Sequence, residues 1–247
     1  MGQLSGRVAV VTGAASGLGT ADARHLAREG YSVVLTDINE EAGRSVALGI
    51  PGALFIRHDV RIESDWGLVI EQVLARFGKL HVLVNNAGVV AFNSIEDCSL
   101  EEYREINAVM SEGTFLGCKY AVPAIARSGG GSIINMSSVA ALKGLSAIPA
   151  YTAAKGAILA LTRSVAIHCQ ERGYGIRCNA IVPGAHDTPM TAAAISRLPP
   201  NYPGLDQIRR GQGRPEDVAN LVVFLASDYS DHITGTYVVI DQGETIR

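Results

Sequence analysis

The chain has 247 residues, of which 47% are hydrophobic and 18% are charged, and its net charge at pH 7 is −3. This composition is typical of a globular protein with a sizeable core and argues against disorder. A slightly acidic chain without a basic stripe favours neither nucleic acid nor an anionic membrane as a partner, so we expect a small-molecule ligand.

Cysteine and histidine spacing argues against a metal centre. The four cysteines form no Cys-x-x-Cys pair, and the six histidines never form His-x-x-x-His. We therefore predict no metal, and free thiols of the kind found in a cytoplasmic protein. The apolar run Val8–Val11 follows Met1 without a charged leader and signal core, and no run reaches the roughly 18 apolar residues of a membrane span.

In chain order, short β-branched runs alternate with longer amphipathic segments. The predicted strands are Val8–Val11, Ser32–Leu35, Ala53–Ile56, Val82–Val84, Ser132–Asn135, Ile176–Ile181 and Tyr237–Ile240. The predicted helices are Leu18–Glu29, Glu40–Leu48, Ser64–Phe77, Leu100–Arg127, Ala150–Arg172 and Pro215–Ala226. This alternation is typical of a parallel sheet covered by helices on both faces. No linker rich in proline, serine or charge divides the chain, so we predict one α/β domain over residues 1–247.

The stretch Pro183–Gly213 is the one long segment that we predict to be irregular. Four prolines, Pro189, Pro199, Pro200 and Pro203, are expected to break any regular element within it. Loops of this length often serve as active-site lids, and this one follows a strand at the sheet edge where ligands of such folds bind. We therefore predict a substrate lid at about residues 184–213.

A glycine-rich turn joins the first predicted strand to the first predicted helix. Gly13, Gly17 and Gly19 have the spacing Gly-x-x-x-Gly-x-Gly. Glycines allow a tight turn and close backbone approach to a diphosphate, and the following helix directs its N-terminus at the anion. A plain turn is the alternative, but the position between strand and helix favours phosphate binding.

Asp37 ends the second predicted strand and indicates which dinucleotide is bound. A carboxylate there can accept hydrogen bonds from ribose hydroxyls and repels a 2′-phosphate. Neither the glycine turn nor the residues directly after Asp37 contain Arg or Lys. We therefore predict NAD rather than NADP, the alternative being an ordinary aspartate in a turn.

Tyr151 and Lys155 are four residues apart in a predicted helix and so share one face. A nearby cation can lower the phenol pKa from about 10 by roughly 1–3, which makes Tyr151 a candidate proton-transfer residue. The same spacing also occurs in ordinary helices. Asn107 and Ser138 precede the pair, although each could simply bond nearby backbone.

These features in order, together with Asn85–Gly88 and Pro183-Gly184, make the chain resemble the short-chain dehydrogenase/reductase family over essentially its whole length. Within the family it looks most like bacterial NAD-dependent hydroxysteroid dehydrogenases, in the stretches Asp37–Glu40, Arg57–Val60, Ser132–Met136 and Gly173–Arg177. The resemblance implies a Rossmann-type doubly wound parallel sheet of about seven strands and a homotetramer.

The resemblance also implies roles for single residues. Tyr151 would be the acid/base, Ser138 would hold the substrate oxygen, and Lys155 would bind the nicotinamide ribose and lower the tyrosine pKa. Asn107 would anchor a water that relays the proton. The implied cofactor-binding residues are Gly13, Ser16, Gly17, Leu18, Gly19, Asp37, Asp59, Val60, Asn86, Ala87, Gly88, Tyr151, Lys155, Pro183, Gly184, His186 and Thr188. Asp59 and Val60 would border adenine, and Thr188 would contact the carboxamide.

Two residues depart from the family pattern. His186 stands where relatives usually carry an aliphatic residue beside the nicotinamide, which would give the pocket a polar edge. Gln242 replaces the first glycine of the usual Asp-Gly-Gly, which puts the packing of the C-terminal segment in doubt.

Mainly apolar residues near the catalytic segments are the candidate substrate contacts: Val90, Phe92, Val139, Ala140, Leu145 and Met190, together with Ser138. They favour a lipophilic secondary alcohol or ketone, such as a hydroxysteroid or other cyclic alcohol, although several could be core residues. A 3-ketoacyl reductase is the alternative enzyme, and Asp37 disfavours the NADP that such reductases usually take. A non-catalytic dinucleotide-binding sensor is the alternative class, and the intact Asn107, Ser138, Tyr151 and Lys155 set argues against it.

Overall fold

The computed structural model describes residues 6–198, residue 205 and residues 212–246. Within these residues, seven parallel strands form one sheet in the order β3-β2-β1-β4-β5-β6-β7. The strands are β1 Val8–Thr12, β2 Ser32–Asp37, β3 Leu54–Arg57, β4 Val82–Asn85, β5 Gly131–Met136, β6 Ile176–Pro183 and β7 Tyr237–Ile240. The predicted α/β fold with a seven-stranded parallel sheet is confirmed.

Helices connect the strands. They are α1 Gly17–Arg28, α2 Glu40–Leu48, α3 Glu63–Phe77, α4 Leu100–Asn107, α5 Gly113–Arg127, α6 Pro149–Glu171, α7 Pro189–Arg197 and α8 Pro215–Ala226. Two buried apolar clusters cover the two faces of the sheet, one containing Trp66 of α3 and Ile125 of α5, the other containing Leu26 of α1 and Leu225 of α8. No described helix is long and apolar enough to cross a membrane.

The order of the strands creates a crevice at the carboxyl edge of the sheet. The chain runs outward from β1 through β2 to β3 and then returns to place β4 on the other side of β1. Connections leave in opposite directions at this point, and ligands of open α/β sheets bind in the resulting crevice. The loops after β1 and β4 therefore face each other across the candidate site.

The predicted helix Leu100–Arg127 is interrupted. It consists of α4, a π-helical turn over Ala108–Glu112, and α5. A capping box begins α4, in which the Ser99 side chain accepts from the Glu102 backbone N–H. A π turn contains an extra residue, so it changes which side chains face the rest of the protein. The pattern of apolar residues in the sequence does not show this change in which side chains face the rest of the protein.

The prediction that Pro183–Gly213 lacks regular structure is wrong for its first half, because α7 lies within it. Pro189 begins α7 at a position where its missing N–H is not needed, and the Thr188 side chain caps the helix by accepting from Thr191 N at 3.2 Å. Pro199, Pro200 and Pro203 lie outside the described residues. Downstream, Gly213 pairs with His186 in an isolated bridge.

Candidate active site

A cavity of about 430 Å³ lies at the carboxyl edge of the sheet, a volume within the range of small-molecule sites. It brings together most of the predicted site residues. These are Gly13, Ser16, Gly17, Leu18, Asp37, Asp59, Val60, Asn86, Ala87, Gly88, Ser138, Tyr151, Lys155, Pro183, Gly184, His186, Thr188 and Met190. Seven predicted residues do not line it: Gly19, Val90, Phe92, Asn107, Val139, Ala140 and Leu145.

The glycine turn has the shape that a diphosphate requires. Gly13 has a φ of +64°, and a Cβ at this position would lie 2.8 Å from Ala87 Cα, so no larger residue fits. Gly19 does not reach the cavity; a Cβ on it would collide with the Gly13 carbonyl, so its role is to let α1 pack against the turn. Ser16 precedes α1 without capping it through its side chain, which leaves the helix N-terminus available to an anion.

Thr12 holds the turn against the loop after β4. Its hydroxyl accepts from Asn86 N and Ala87 N, both at 3.0 Å. The Asn86 amide in turn donates to Thr12 O at 2.9 Å and to Gly13 O at 3.2 Å. The Asn86 side chain thus fixes the two loops together, and Asn86, Ala87 and Gly88 line the cavity.

Asp37 is fixed at the end of β2. Its carboxylate accepts from Ala15 N at 3.0 Å and from Asn39 N at 2.9 Å, and the residue lines the cavity. Two backbone donors therefore orient a negative charge beside the glycine turn, where a ribose hydroxyl would find an acceptor.

The far wall of the cavity carries a feature that the sequence did not suggest. Arg61 binds Asp59 through a salt bridge of 2.6 Å, and this hydrogen-bonded contact lowers the pKa of Asp59. Next to it, His58 is buried; its Nδ1 lies 3.0 Å from Thr36 Oγ1, and its Nε2 has no partner among the described residues. Burial lowers the pKa of His58 to about 4, so its ring is neutral at neutral pH.

The candidate catalytic residues come from two elements. Ser138 follows β5 and caps a short 3₁₀ turn by accepting from Ala140 N at 3.2 Å, while Tyr151 and Lys155 lie on α6. Lys155 Nζ lies 5.4 Å from the centre of the Tyr151 ring, and the Ser138 hydroxyl is close enough to the phenol to lower its pKa. Ser137 Oγ donates to Lys155 O at 2.9 Å and so fastens α6 to β5.

The expectation that Lys155 lowers the pKa of Tyr151 is not met in this structure. Burial raises the pKa of Tyr151, and the hydrogen bond with Ser138 opposes that change. Burial lowers the pKa of Lys155 to about 8. Lys155 Nζ donates to Met136 O at 2.7 Å, and Lys155 is not among the groups that change the pKa of Tyr151. The sequence shows that Tyr151 and Lys155 are four residues apart, but it does not show how deeply the two side chains are buried.

Asn107 is not brought to the cavity, and its role as a water anchor stays a prediction. Its amide donates to Tyr103 O at 2.7 Å, and its side-chain oxygen accepts from Ser111 Oγ at 3.1 Å. Tyr103 lies one helical turn before Asn107, and Ser111 lies in the π turn that begins directly after it. Both partners therefore belong to the helical region of Asn107 itself. Val109, two residues later, lines the cavity instead.

Two of the predicted substrate contacts belong to the core. Val139 is buried against Leu159 and Val182, and Ala140 is also buried, because the 3₁₀ turn after Ser138 packs onto α6 and β6. Val90, Phe92 and Leu145 are half-buried outside the cavity. Met190, at the start of α7, does line the cavity.

Several lining residues were missed from the sequence: Ile38, His58, Arg61, Val89, Val109, Met136, Ser137, Pro189 and Thr191. Most of them directly adjoin a predicted residue at a strand end or loop. Their positions next to Asp37, Asp59, Gly88, Ser138 and Thr188 were a usable signal. Val109 gave no such signal in the sequence, since its position at the cavity depends on the π turn.

Known proteins share this architecture. A family model described as enoyl-(acyl carrier protein) reductase matches residues 13–245. The 3-beta-hydroxysteroid dehydrogenase of Comamonas testosteroni is 40% identical over 97% of this chain and 96% of its own length. The NADP-dependent (R)-specific alcohol dehydrogenase of Lentilactobacillus kefiri is 34% identical over 99% of each chain. The crystal structure of levodione reductase superposes with a TM-score of 0.92 at 29% identity, covering 98% of each chain.

Fold and site together define an oxidoreductase that uses a nicotinamide dinucleotide: the glycine turn fits a diphosphate, and Ser138, Tyr151 and Lys155 stand in the same cavity. The chain belongs to the short-chain dehydrogenase/reductase family.

Proposed function

We propose that the protein is an NAD-dependent dehydrogenase that interconverts a lipophilic secondary alcohol and its ketone. A hydroxysteroid or another cyclic alcohol is the proposed substrate. The observation that carries the proposal is the presence of Ser138, Tyr151 and Lys155 together in the cavity that the glycine turn borders. Support for the substrate class comes from the apolar lining residues Val89, Val109 and Met190 and from the steroid named for the Comamonas testosteroni relative.

In the proposed mechanism each of three side chains has one task. Ser138 Oγ holds the substrate oxygen, and the Tyr151 phenol exchanges a proton with that oxygen. Lys155 supplies positive charge beside the phenol and would bind the nicotinamide ribose. The cofactor, when bound, supplies or accepts the hydride. Since burial raises the pKa of Tyr151, the phenol holds its proton at neutral pH, which suits donation to a ketone; oxidation is favoured as the pH rises.

The remaining predicted cofactor contacts are part of the proposal. Ser16, Gly17 and Leu18 would face the diphosphate, and Asp59 and Val60 would border adenine. Pro183, Gly184, His186 and Thr188 would surround the nicotinamide. His186 is buried, and its Nδ1 lies 3.0 Å from Gly184 O, so its ring forms part of the wall rather than a free polar edge.

We propose NAD as the cofactor because Asp37 lines the cavity beside the glycine turn, where its carboxylate would repel the 2′-phosphate of NADP. Arg61, a nearby cation that lines the cavity, is bound to Asp59. Replacing Asp37 with Asn keeps a hydrogen-bonding side chain and removes the charge, whereas Asp37→Ala removes both. We expect Asp37→Asn to reduce the preference for NAD over NADP by about tenfold, equivalent to 1.4 kcal/mol. An unchanged ratio of the two dissociation constants would overturn the assignment.

The substrate proposal is tested by following the absorbance of reduced nicotinamide with a panel of hydroxysteroids, other cyclic alcohols, their ketones and 3-ketoacyl compounds. Turnover of the cyclic compounds supports the proposal. Preference for the 3-ketoacyl compounds favours the alternative reductase. No turnover of any compound, in a protein that binds NAD measurably, favours a dinucleotide-binding sensor.

We also propose a homotetramer in a reducing compartment such as the cytoplasm. Exposed apolar side chains on α5 and α6, Phe115 and Ile167, offer surface for self-association. The four cysteines are free, as expected where thiols stay reduced. Light scattering tests the assembly, and a monomer would contradict it.

A further inference from the structure

Arg61 is a cation in the wall of the cavity that the proposed mechanism does not use. Among the described residues, it and Lys155 are the two lysine or arginine side chains that line the cavity. Its Nε donates to Asp59 Oδ1 at 2.9 Å, and one terminal nitrogen donates to Asp59 Oδ2 at 2.6 Å. This is the bidentate geometry in which arginine and a carboxylate pair most strongly. The charge of Arg61 is therefore balanced by Asp59.

The sheet places this pair next to Asp37. His58 N, directly after β3, donates to Asp37 O at the end of β2, at 3.0 Å. A turn follows at once, closed by the hydrogen bond from Ile62 N to Asp59 O at 3.0 Å, so Arg61 stays near the end of β3. Asp37, Asp59 and Arg61 all line the same cavity. The two carboxylates and the guanidinium thus share the part of the cavity that lies over the ends of β2 and β3.

Burial does not lock Arg61 in place. Its side chain is 48% exposed, whereas that of Asp59 is 11% exposed. A salt bridge with a half-exposed partner is worth little and is readily exchanged. Arginine also binds phosphate in the same bidentate way as it binds a carboxylate. The guanidinium is therefore able to turn to a phosphate once Asp59 no longer holds it.

We propose that Asp59 is a specificity-determining residue that acts through Arg61: by holding the guanidinium, it keeps Arg61 from pairing with the 2′-phosphate of NADP. The preference for NAD then depends on two carboxylates, Asp37 by repelling the phosphate and Asp59 by occupying the cation. The inference rests on the proposed function in taking the cavity as a dinucleotide site.

A second carboxylate near Arg61 offers a control. Asp59 raises the pKa of Arg61 through its hydrogen bonds and its charge, whereas Glu105 of α4 raises it less, through its charge alone. Glu105 is exposed. Removing its charge therefore changes the electrostatics around Arg61 without releasing the guanidinium from a partner.

The test is a double-mutant cycle on the ratio of the dissociation constants for NADPH and NADH, measured without substrate by fluorescence titration of the reduced dinucleotides. Asp59→Asn should lower this ratio by about fivefold, because the released guanidinium binds the phosphate. Arg61→Ala should change the ratio by less than about twofold in the wild type but reverse the whole gain in the Asp59→Asn background. A contact of Asp59 with the base is common to both dinucleotides and cancels in the ratio.

Glu105→Gln is the matched control and should leave the ratio within about twofold of the wild type. Asp59→Ala repeats the test if Asp59→Asn fails to fold, with a gain at least as large. Effects of Asp59→Asn and Arg61→Ala that simply add, or an equal gain from Glu105→Gln, overturn the inference.

The cycle also separates the inference from the proposed function. A wild type that prefers NADPH but shows the predicted coupling between Asp59 and Arg61 contradicts the proposed cofactor and supports the inference. A wild type that prefers NADH but shows no coupling does the reverse. A protein that binds neither dinucleotide contradicts both.

Discussion

Three polar side chains share one cavity at the carboxyl edge of the sheet, and their surroundings decide what each can do. Lys155 is buried and Tyr151 is half-buried, and burial favours the neutral form of each and moves their pKa values in opposite directions. Ser138 opposes this change at Tyr151 through a hydrogen bond. Burial and the Ser138 hydroxyl therefore set the pKa values of the pair, rather than direct contact of the ammonium with the phenol.

The position of Asn107 leads to a prediction about which residues matter for catalysis. Asn107→Ala should leave kcat/KM within about threefold of the wild type, because its side chain bonds only within its helical region. Ser138→Ala should lower kcat/KM by about 10²–10³, since it would remove the proposed donor to the reacting oxygen. Steady-state kinetics of the two variants side by side gives the comparison. Equal losses in both would support the predicted role of Asn107 as a water anchor.

At the scale of elements, α1 carries an unexplained carboxylate. Asp22 is fully buried on the helix that follows the glycine turn, and neither of its oxygens has a partner among the described residues. Burial raises the pKa of Asp22 well above its ordinary 3.8. The folded protein therefore holds this proton at a pH where the unfolded chain has released it, and the stability that Asp22 contributes at acid pH is lost as the pH rises.

We predict that Asp22→Ala stabilises the protein at neutral pH by at least about 1 kcal/mol. Urea unfolding at pH 5 and pH 8 measures the gain, which should be larger at pH 8 because ionisation of the unfolded wild type favours unfolding there. Asp22→Asn is the matched variant: it removes the ionisation while keeping a polar side chain. A wild type more stable than both variants at pH 8 would show that Asp22 has a favourable partner.

The elements also show what the sequence can and cannot reveal. Apolar β-branched runs were enough to predict β1 and β4, because strands buried on both faces need such residues. The glycine turn could be predicted because its position between strand and helix restricts the residue type. The π turn at Ala108–Glu112 could not, since one extra residue leaves the apolar pattern nearly unchanged. The start of α7 was missed because Pro189 was taken as a helix breaker although it stands in the first turn.

At the scale of the whole molecule, the buried histidine His58 should make the stability of the protein fall in acid. Burial lowers the pKa of His58 to about 4, whereas an unfolded chain has a value near 6.5. Between these values the unfolded chain binds more protons, so the stability that His58 contributes is present above pH 6.5 and lost as the pH falls toward 4. The difference corresponds to about 3 kcal/mol.

We expect the free energy of unfolding of the wild type to fall more steeply between pH 6.5 and pH 4 than that of His58→Gln. Denaturant titrations across this range provide the measurement. His232→Gln, which replaces an exposed histidine in the same way, is the control. Parallel curves for the wild type and His58→Gln would mean that His58 is charged in the folded protein.

The central claim is that Tyr151 transfers the proton that accompanies hydride transfer at the nicotinamide. Its most direct test pairs two measurements on Tyr151→Phe: the rate of change in reduced-nicotinamide absorbance with a substrate of the wild type, and the dissociation constant for NAD. We expect a rate lowered by at least about 10²-fold with NAD affinity unchanged. A variant that binds NAD and keeps the rate of the wild type would contradict it.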